Sequence, residues 1–153
     1  GCSGVAPASV SIQGALAAAE PGDTVRVCAG TYKEQVSITT KGVTLISAKP
    51  WKARLSPTAP DGDAIVKVAA DNVTVQWLKI VAPTTGLCNA AGQGILVDGV
   101  KNARLLSNRI LANKNGDTLG GPCGLTEGIS INDGSQGAYV WHNIVRAFKL
   151  VGR

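Results

Sequence analysis

The sequence predicts an all-β solenoid, in which one short unit is repeated along the chain. Three observations predict it: about a quarter of the residues are Val, Ile or Thr, four segments match when stacked, and apolar residues alternate with polar ones within each segment. Hydrophobic residues are 44% of the 153 and charged residues only 16%, which excludes intrinsic disorder. The length suits one domain, with 1–23 as an N-terminal cap, 24–146 as the repeats and 147–153 as a C-terminal tail.

The N-terminal cap is predicted to contain one short amphipathic helix. Ile12, Leu16 and Ala19 share a helical face, and the Pro-Gly-Asp sequence at 21–23 ends the helix. Such a helix would cover the apolar end of the first coil, as the terminal caps of solenoids do.

The repeats begin near Gln35, Ile65, Gly94 and Gly128, and their lengths are 30, then 29–30, then 34–35 residues. Each has two short alternating strands separated by a turn rich in Gly, Asn and Asp. Alternation turns one face of each strand inward, and a unit this small must stack on its neighbours to bury that face. The predicted inward columns are Val36, Val66, Ile95 and Ile129; Ile38, Val68, Val97 and Ile131; Val43, Val73, Ala103 and Ala138; and Leu45, Val75, Leu105 and Val140.

A further column follows the second strand, at Leu78, Asn108 and Asn143, and precedes the column of Ile80, Ile110 and Val145. An asparagine at such a turn can hydrogen-bond its equivalent one repeat away and tolerates the left-handed backbone of a sharp corner. We therefore expect a structural role for these two asparagines.

The segment Ser11–Ile38 resembles the start of many secreted right-handed parallel β-helix proteins of the pectin lyase-like superfamily. Members often open with an "IQ-A-A" helix followed by "PGDTV" and "GTY.E.V.I", and this chain has IQGALAAAEPGDTVRV and GTYKEQVSI. The asparagine turns in LLSNRI and VWHNIV are similar to the repeat of that superfamily. The resemblance spans about Ser9 to Val145. It implies a short right-handed parallel β-helix of about four rungs with an N-terminal capping helix.

Four cysteines and a single histidine, His142, leave a zinc site almost no ligands, and no CxxC is present. We expect two disulfides, Cys2–Cys28 and Cys88–Cys123, in a secreted protein whose signal peptide has been removed. The alternative is a bacterial lipoprotein that is lipidated on Cys2 and held at the cell surface, which would leave Cys28 unpaired.

The net charge of +5 favours acidic partners such as uronic-acid polymers or teichoic acids, although a merely cationic surface is an equally good explanation. The chain has no Lys/Arg run interleaved with aromatic residues, so nucleic acid is not an expected partner. Its longest apolar runs are too short for a transmembrane segment.

The superfamily resemblance implies a substrate groove beside the first sheet, walled by the loops 50–64, 83–93 and 112–127. A lyase of this fold needs carboxylates that hold calcium and an Arg or Lys that removes a proton. Lys67, Asp98 and Asp63 are weak catalytic candidates, because Asp-Gly pairs are also ordinary turn sequences. The signatures of pectate lyases, polygalacturonases and alginate epimerases are missing. No cofactor is otherwise expected, and no metal ligands are assigned.

Alternation also predicts which side chains face outward. On the first sheet these are Ser37, Lys67, Leu96 and Ser130; on the second sheet they are Thr44, Thr74, Arg104 and Tyr139, then Ile46, Gln76, Leu106 and Trp141. The expected substrate-binding residues are Lys67, Arg104, Tyr139 and Trp141, since exposed aromatic rings suit a sugar or a protein partner.

The last repeat is expected to present an apolar interaction surface at the end of the solenoid. Ile129, Ile131, Val140 and Val145 have only 147–153 after them as cover. Either this end self-associates or docks on a partner, or the tail folds over it, or the natural chain continues.

Together these features lead us to expect a secreted or cell-surface module that binds polysaccharide or forms part of a larger assembly. The alternative is a lyase-like enzyme that acts on acidic polysaccharide.

Overall fold

The computed structural model describes residues 11–57, 64–82, 92–111, 125 and 127–146. These contain one helix and fourteen strands. The elements are α1 (Ile12–Ala18), β1 (Thr24–Val27), β2 (Gly30–Tyr32), β3 (Val36–Ile38), β4 (Thr44–Ser47), β5 (Ala53–Leu55), β6 (Ala64–Val68), β7 (Thr74–Gln76), β8 (Lys79–Val81), β9 (Gln93–Asp98), β10 (Arg104–Leu106), β11 (Arg109–Leu111), β12 (Glu127–Asn132), β13 (Tyr139–Trp141) and β14 (Ile144–Arg146). No helix among them is long and apolar enough to cross a membrane.

The strands form three parallel sheets. Sheet A has the order β1-β4-β7-β10-β13, sheet B the order β14-β11-β8-β5-β2, and sheet C the order β12-β9-β6-β3. From β3 onward the chain visits sheets C, A and B in turn and then returns to sheet C one strand further along. This arrangement confirms the prediction of an all-β, parallel, solenoid-like fold.

The strand pairing also confirms the predicted register. Val36 pairs with Val66, Val66 with Ile95, and Ile95 with Ile129. On sheet A, Leu45, Val75, Leu105 and Val140 pair in the same way. In the described part of the chain, inward residues of all three sheets meet in one core of apolar side chains, with the buried Asn108 and Ser47 at its corners.

The first coil is covered by α1. Ser11 caps the helix by accepting a hydrogen bond from the Gly14 N–H at 2.8 Å, and the Glu34 carboxylate accepts from Ile12 N at 2.9 Å and Gln13 N at 3.1 Å. Ile12 and Leu16 are buried in the core, as predicted, and the helix contacts β1 and β3.

The corner between sheets A and B contains two stacked columns. In the first, Trp51, Trp77, Ser107 and His142 have positive φ angles of 52–60°. The second column contains Asn108 and Asn143, whose side chains point inward. Our expectation that the asparagines themselves take the left-handed backbone is wrong: the residue before each asparagine takes it. The amide must face the core to reach buried backbone groups, so the chain reverses one position earlier.

Asn108 is the centre of the asparagine column and is fully buried. Its Oδ1 accepts from Leu78 N at 3.1 Å, and its Nδ2 donates to Val75 O at 2.9 Å and to Asn143 Oδ1 at 3.0 Å. Asn143 Oδ1 also accepts from Asn108 N, and its Nδ2 donates to Leu105 O at 2.7 Å. The column therefore joins successive coils, which is the predicted structural role.

Two glycines let sheet C approach sheet B closely. A Cβ on Gly94 would lie 2.6 Å from Gly128 O and 2.7 Å from Ile110 Cγ2, and a Cβ on Gly128 would overlap Val145. No side chain fits at either position.

Cys28 is disulfide-bonded. Cys2, Cys88 and Cys123 lie outside the described residues, so the pairings Cys2–Cys28 and Cys88–Cys123 stay predictions.

Candidate binding surfaces

Two of the three catalytic candidates meet on the outer face of sheet C. Lys67 lies on β6 and Asp98 at the end of the neighbouring β9, and Lys67 Nζ forms an ion pair with Asp98 Oδ2 at 2.8 Å. Asp133, which follows β12, lies beside Asp98. We call these three residues the polar cluster. Asp63 lies outside the described residues.

The hydrogen bond from Lys67 is the largest of the effects that lower the pKa of Asp98 below its ordinary value of 3.8. Partial desolvation opposes the shift without reversing it. Asp98 is therefore a carboxylate at neutral pH, and its negative charge favours the protonated ammonium of Lys67. This pairing works against a neutral lysine acting as a general base.

The polar cluster does not make a calcium site by itself. Calcium takes six to eight oxygen ligands, and no group of three or more Asp, Glu, His or Cys side chains occurs together in the described part of the chain. One of the two carboxylates, Asp98, is already engaged by the Lys67 ammonium.

One residue in the outward column of sheet C is covered and not exposed. Leu96 pairs with Lys67 and Ser130, as an outward residue should, but its side chain is only 4% exposed. Strand alternation sets the direction of a side chain and not what lies over it. Leu96 therefore faces outward, as predicted, and is covered from outside the core.

The other three binding candidates meet on sheet A. Arg104 pairs with Tyr139 across β10 and β13, and its guanidinium carbon lies 5.7 Å from the centre of the tyrosine ring. Tyr139 and Trp141 have nearly parallel rings, 12° apart in orientation with centroids 6.1 Å apart. The His142 ring stacks on Trp141 at 4.3 Å. We call these four residues the aromatic patch.

The aromatic patch is accessible. Tyr139 is 47% exposed and Trp141 50% exposed. Exposed aromatic rings of this size at one end of a sheet are typical of surfaces that bind a ligand or partner. Lys67, the fourth predicted binding residue, lies on sheet C and not with this patch. His142 belongs to the patch through its contact with Trp141.

Sequence reasoning missed a third surface. Arg54, Lys79 and Arg109 occupy one outward column of sheet B. Lys79 and Arg109 are one repeat apart and lie between two recognised columns, so alternation could have identified them. Arg54 escapes a search for 30-residue spacing because only 25 positions separate it from Lys79.

Comparison with protein-family models, with curated proteins and with solved structures finds no match to this chain. The fold and its surfaces therefore define the class: a parallel β solenoid whose described surface carries the polar cluster, the aromatic patch and the outward column of Arg54, Lys79 and Arg109.

Proposed function

We propose that this chain is a secreted or cell-surface polysaccharide-binding module, built as a right-handed parallel β-helix of the pectin lyase-like kind. The observation that carries the proposal is the aromatic patch. Tyr139 and Trp141 present parallel, half-exposed rings on one strand, and Arg104 lies beside them. Flat apolar rings with polar edges suit the faces of sugar rings, and an adjacent guanidinium can donate hydrogen bonds to sugar oxygens.

Retention on insoluble cellulose, chitin and xylan tests this function. Wild type should be retained on at least one of these polymers, and Trp141→Ala and Tyr139→Ala should each weaken retention about tenfold or more, a loss of about 1.4 kcal/mol. Gln76→Ala is the matched control, because Gln76 lies in the same outward column as Trp141, two strands away. Equal retention of Trp141→Ala and wild type, or no retention of wild type, would overturn the proposal.

The polar cluster is the observation from which a second candidate function, a lyase-like activity on acidic polysaccharide, can be tested. The ion pair of Lys67 with Asp98, next to Asp133, places a cation and two carboxylates on one face of sheet C. Ultraviolet absorbance of the unsaturated product, measured on polygalacturonate and alginate with and without calcium, tests it. Activity that Lys67→Ala abolishes would support the lyase, and an inactive wild type on both polymers would count against it.

Participation in a larger assembly has its own observation, at the end of the stack formed by β12, β13 and β14. Ile131, Val140 and Val145 are inward residues by register, yet they are 43–44% exposed, whereas their partners one strand earlier are fully buried. The described sheets also end there, with unpaired edge strands. A second copy covering this end would bury the exposed apolar side chains and pair the edge strands. Light scattering should show a dimer at rising concentration, and a strictly monomeric mass would refute the self-association.

A further inference from the structure

Three cations lie side by side on the outer face of sheet B. Arg54 on β5 pairs in register with Lys79 on β8, and Lys79 pairs with Arg109 on β11. Neighbouring strands are about 4.7–4.9 Å apart, so the column crosses three strands over roughly 10 Å. The next residue on each strand is a fully buried apolar core residue, which fixes the three cations on the outer face. We call Arg54, Lys79 and Arg109 the basic column.

The column has no counter-charge in the described part of the chain. None of its three side chains makes a hydrogen bond or ion pair there. The Nε atoms of Arg54 and Arg109 are buried and have no hydrogen-bond partner. Like charges on adjacent strands destabilise a sheet, and a buried donor without a partner does so too. An anion lying along the column would relieve the repulsion among the three cations.

One member of the column is held in place by an aromatic ring. The Arg109 guanidinium carbon lies 3.5 Å from the centre of the Trp51 ring. Trp51 is itself fixed, because its indole Nε1 donates to Ser107 O at 2.7 Å and its backbone N–H to Trp77 O at 2.8 Å. The guanidinium is therefore positioned before any ligand arrives, which lowers the entropy cost of binding.

We propose that the basic column is a binding strip for an acidic polysaccharide, a chain with carboxylates at regular intervals that lies across the strands of sheet B. A regular row of cations matches a polymer with one anionic group per sugar. Proteins that bind single-stranded nucleic acid add aromatic rings on which bases stack. Arg109 covers one face of Trp51, the aromatic residue that contacts the column, which favours the polysaccharide. This strip does not depend on the aromatic patch of sheet A.

Calorimetric titration with polygalacturonate tests the strip. Arg54→Gln, Lys79→Gln and Arg109→Gln should each raise Kd about tenfold, and higher salt should weaken binding to wild type. Lys101→Gln removes the same charge from an exposed corner and should change Kd less than twofold. Thermal melts of each variant check folding, and Lys79→Gln carries the test if Arg109→Gln is destabilised by the loss of its Trp51 contact.

Several results separate this proposal from others. Binding of polygalacturonate that survives Trp141→Ala but not Lys79→Gln supports the strip even if the neutral polymers fail to bind. Fully methyl-esterified pectin should not bind the column, because its carboxylates are uncharged. Column variants that bind like Lys101→Gln would overturn the proposal. Tighter binding of oligo-dT than of polygalacturonate, lost in the same variants, would overturn it in favour of nucleic acid.

Discussion

Replacing Asn108 with alanine should cost a large part of the stability of the fold. The substitution removes the partner of the Leu78 N–H, and Leu78 is fully buried, so that donor is left unsatisfied. A buried unsatisfied donor costs about 1–3 kcal/mol. The hydrogen bonds to Val75 O and Asn143 Oδ1 are lost as well, at about 0.5–1.5 kcal/mol each. The expected loss is about 2–6 kcal/mol, against a total of about 5–15 kcal/mol for a typical domain.

Urea unfolding followed by circular dichroism measures this loss as a lower midpoint at an unchanged m value. Asn102→Gly is the matched control. Asn102 is also a turn asparagine that contacts its equivalent one coil earlier, through a 3.2 Å bond to Asn72 Oδ1, but it is exposed. Glycine accepts its φ of 56°, so this variant should stay within about 0.5 kcal/mol of wild type. A loss below about 1 kcal/mol for Asn108→Ala would refute the claim that the buried asparagine column joins the coils.

Two further predictions concern sheet C. Val97→Asp should prevent folding, because Val97 is fully buried and an unpaired buried carboxylate costs several kcal/mol. Lys67→Ala, one strand away and facing outward, should keep a far-ultraviolet circular dichroism spectrum like that of wild type. A folded Val97→Asp would mean that the register is wrong. Asp98→Asn should reduce stability at neutral pH. The pKa of Asp98 in the fold lies below 3.8, so the stabilisation from its ionised form is present above that pH and is lost as the pH falls through the lowered pKa. The urea midpoints of wild type and Asp98→Asn should therefore converge in acid. A gap between the two midpoints that persists unchanged at about pH 2 would contradict this origin.

Strand register was predictable from the sequence because side chains alternate with a period of two. A slip of one residue would move a whole apolar set to the solvent, so the columns through Val66 and Leu105 have one consistent alignment. The same rule placed Arg104, Tyr139 and Trp141 outward, and the structure shows the two aromatic side chains exposed there. Local alternation is therefore enough to place an outward patch within a single strand.

The remaining features depend on groups that lie far apart in the sequence. Leu96 is outward by alternation but covered, and a strand pattern holds no information about cover. The corner geometry was assigned to Asn108 instead of Ser107, because the preference of asparagine for left-handed backbone competes with its use as a buried hydrogen-bonding group. Arg54 was missed because the connections between sheets differ in length, so the columns do not follow one spacing.

The basic column also links ligand binding to the stability of the solenoid. Its three adjacent charges raise the free energy of the folded state, since unfolding separates them and exposes the unpartnered Nε atoms of Arg54 and Arg109 to water. An anion that binds only the folded chain must therefore stabilise it, by an amount that grows with ligand concentration over Kd. By contrast, the outward column of sheet A through Thr44, Thr74, Arg104 and Tyr139 contains one cation. Neutral ligands on the aromatic patch cannot relieve this repulsion, so a stabilisation specific to polyanions and lost in Lys79→Gln identifies sheet B as the anion-binding face.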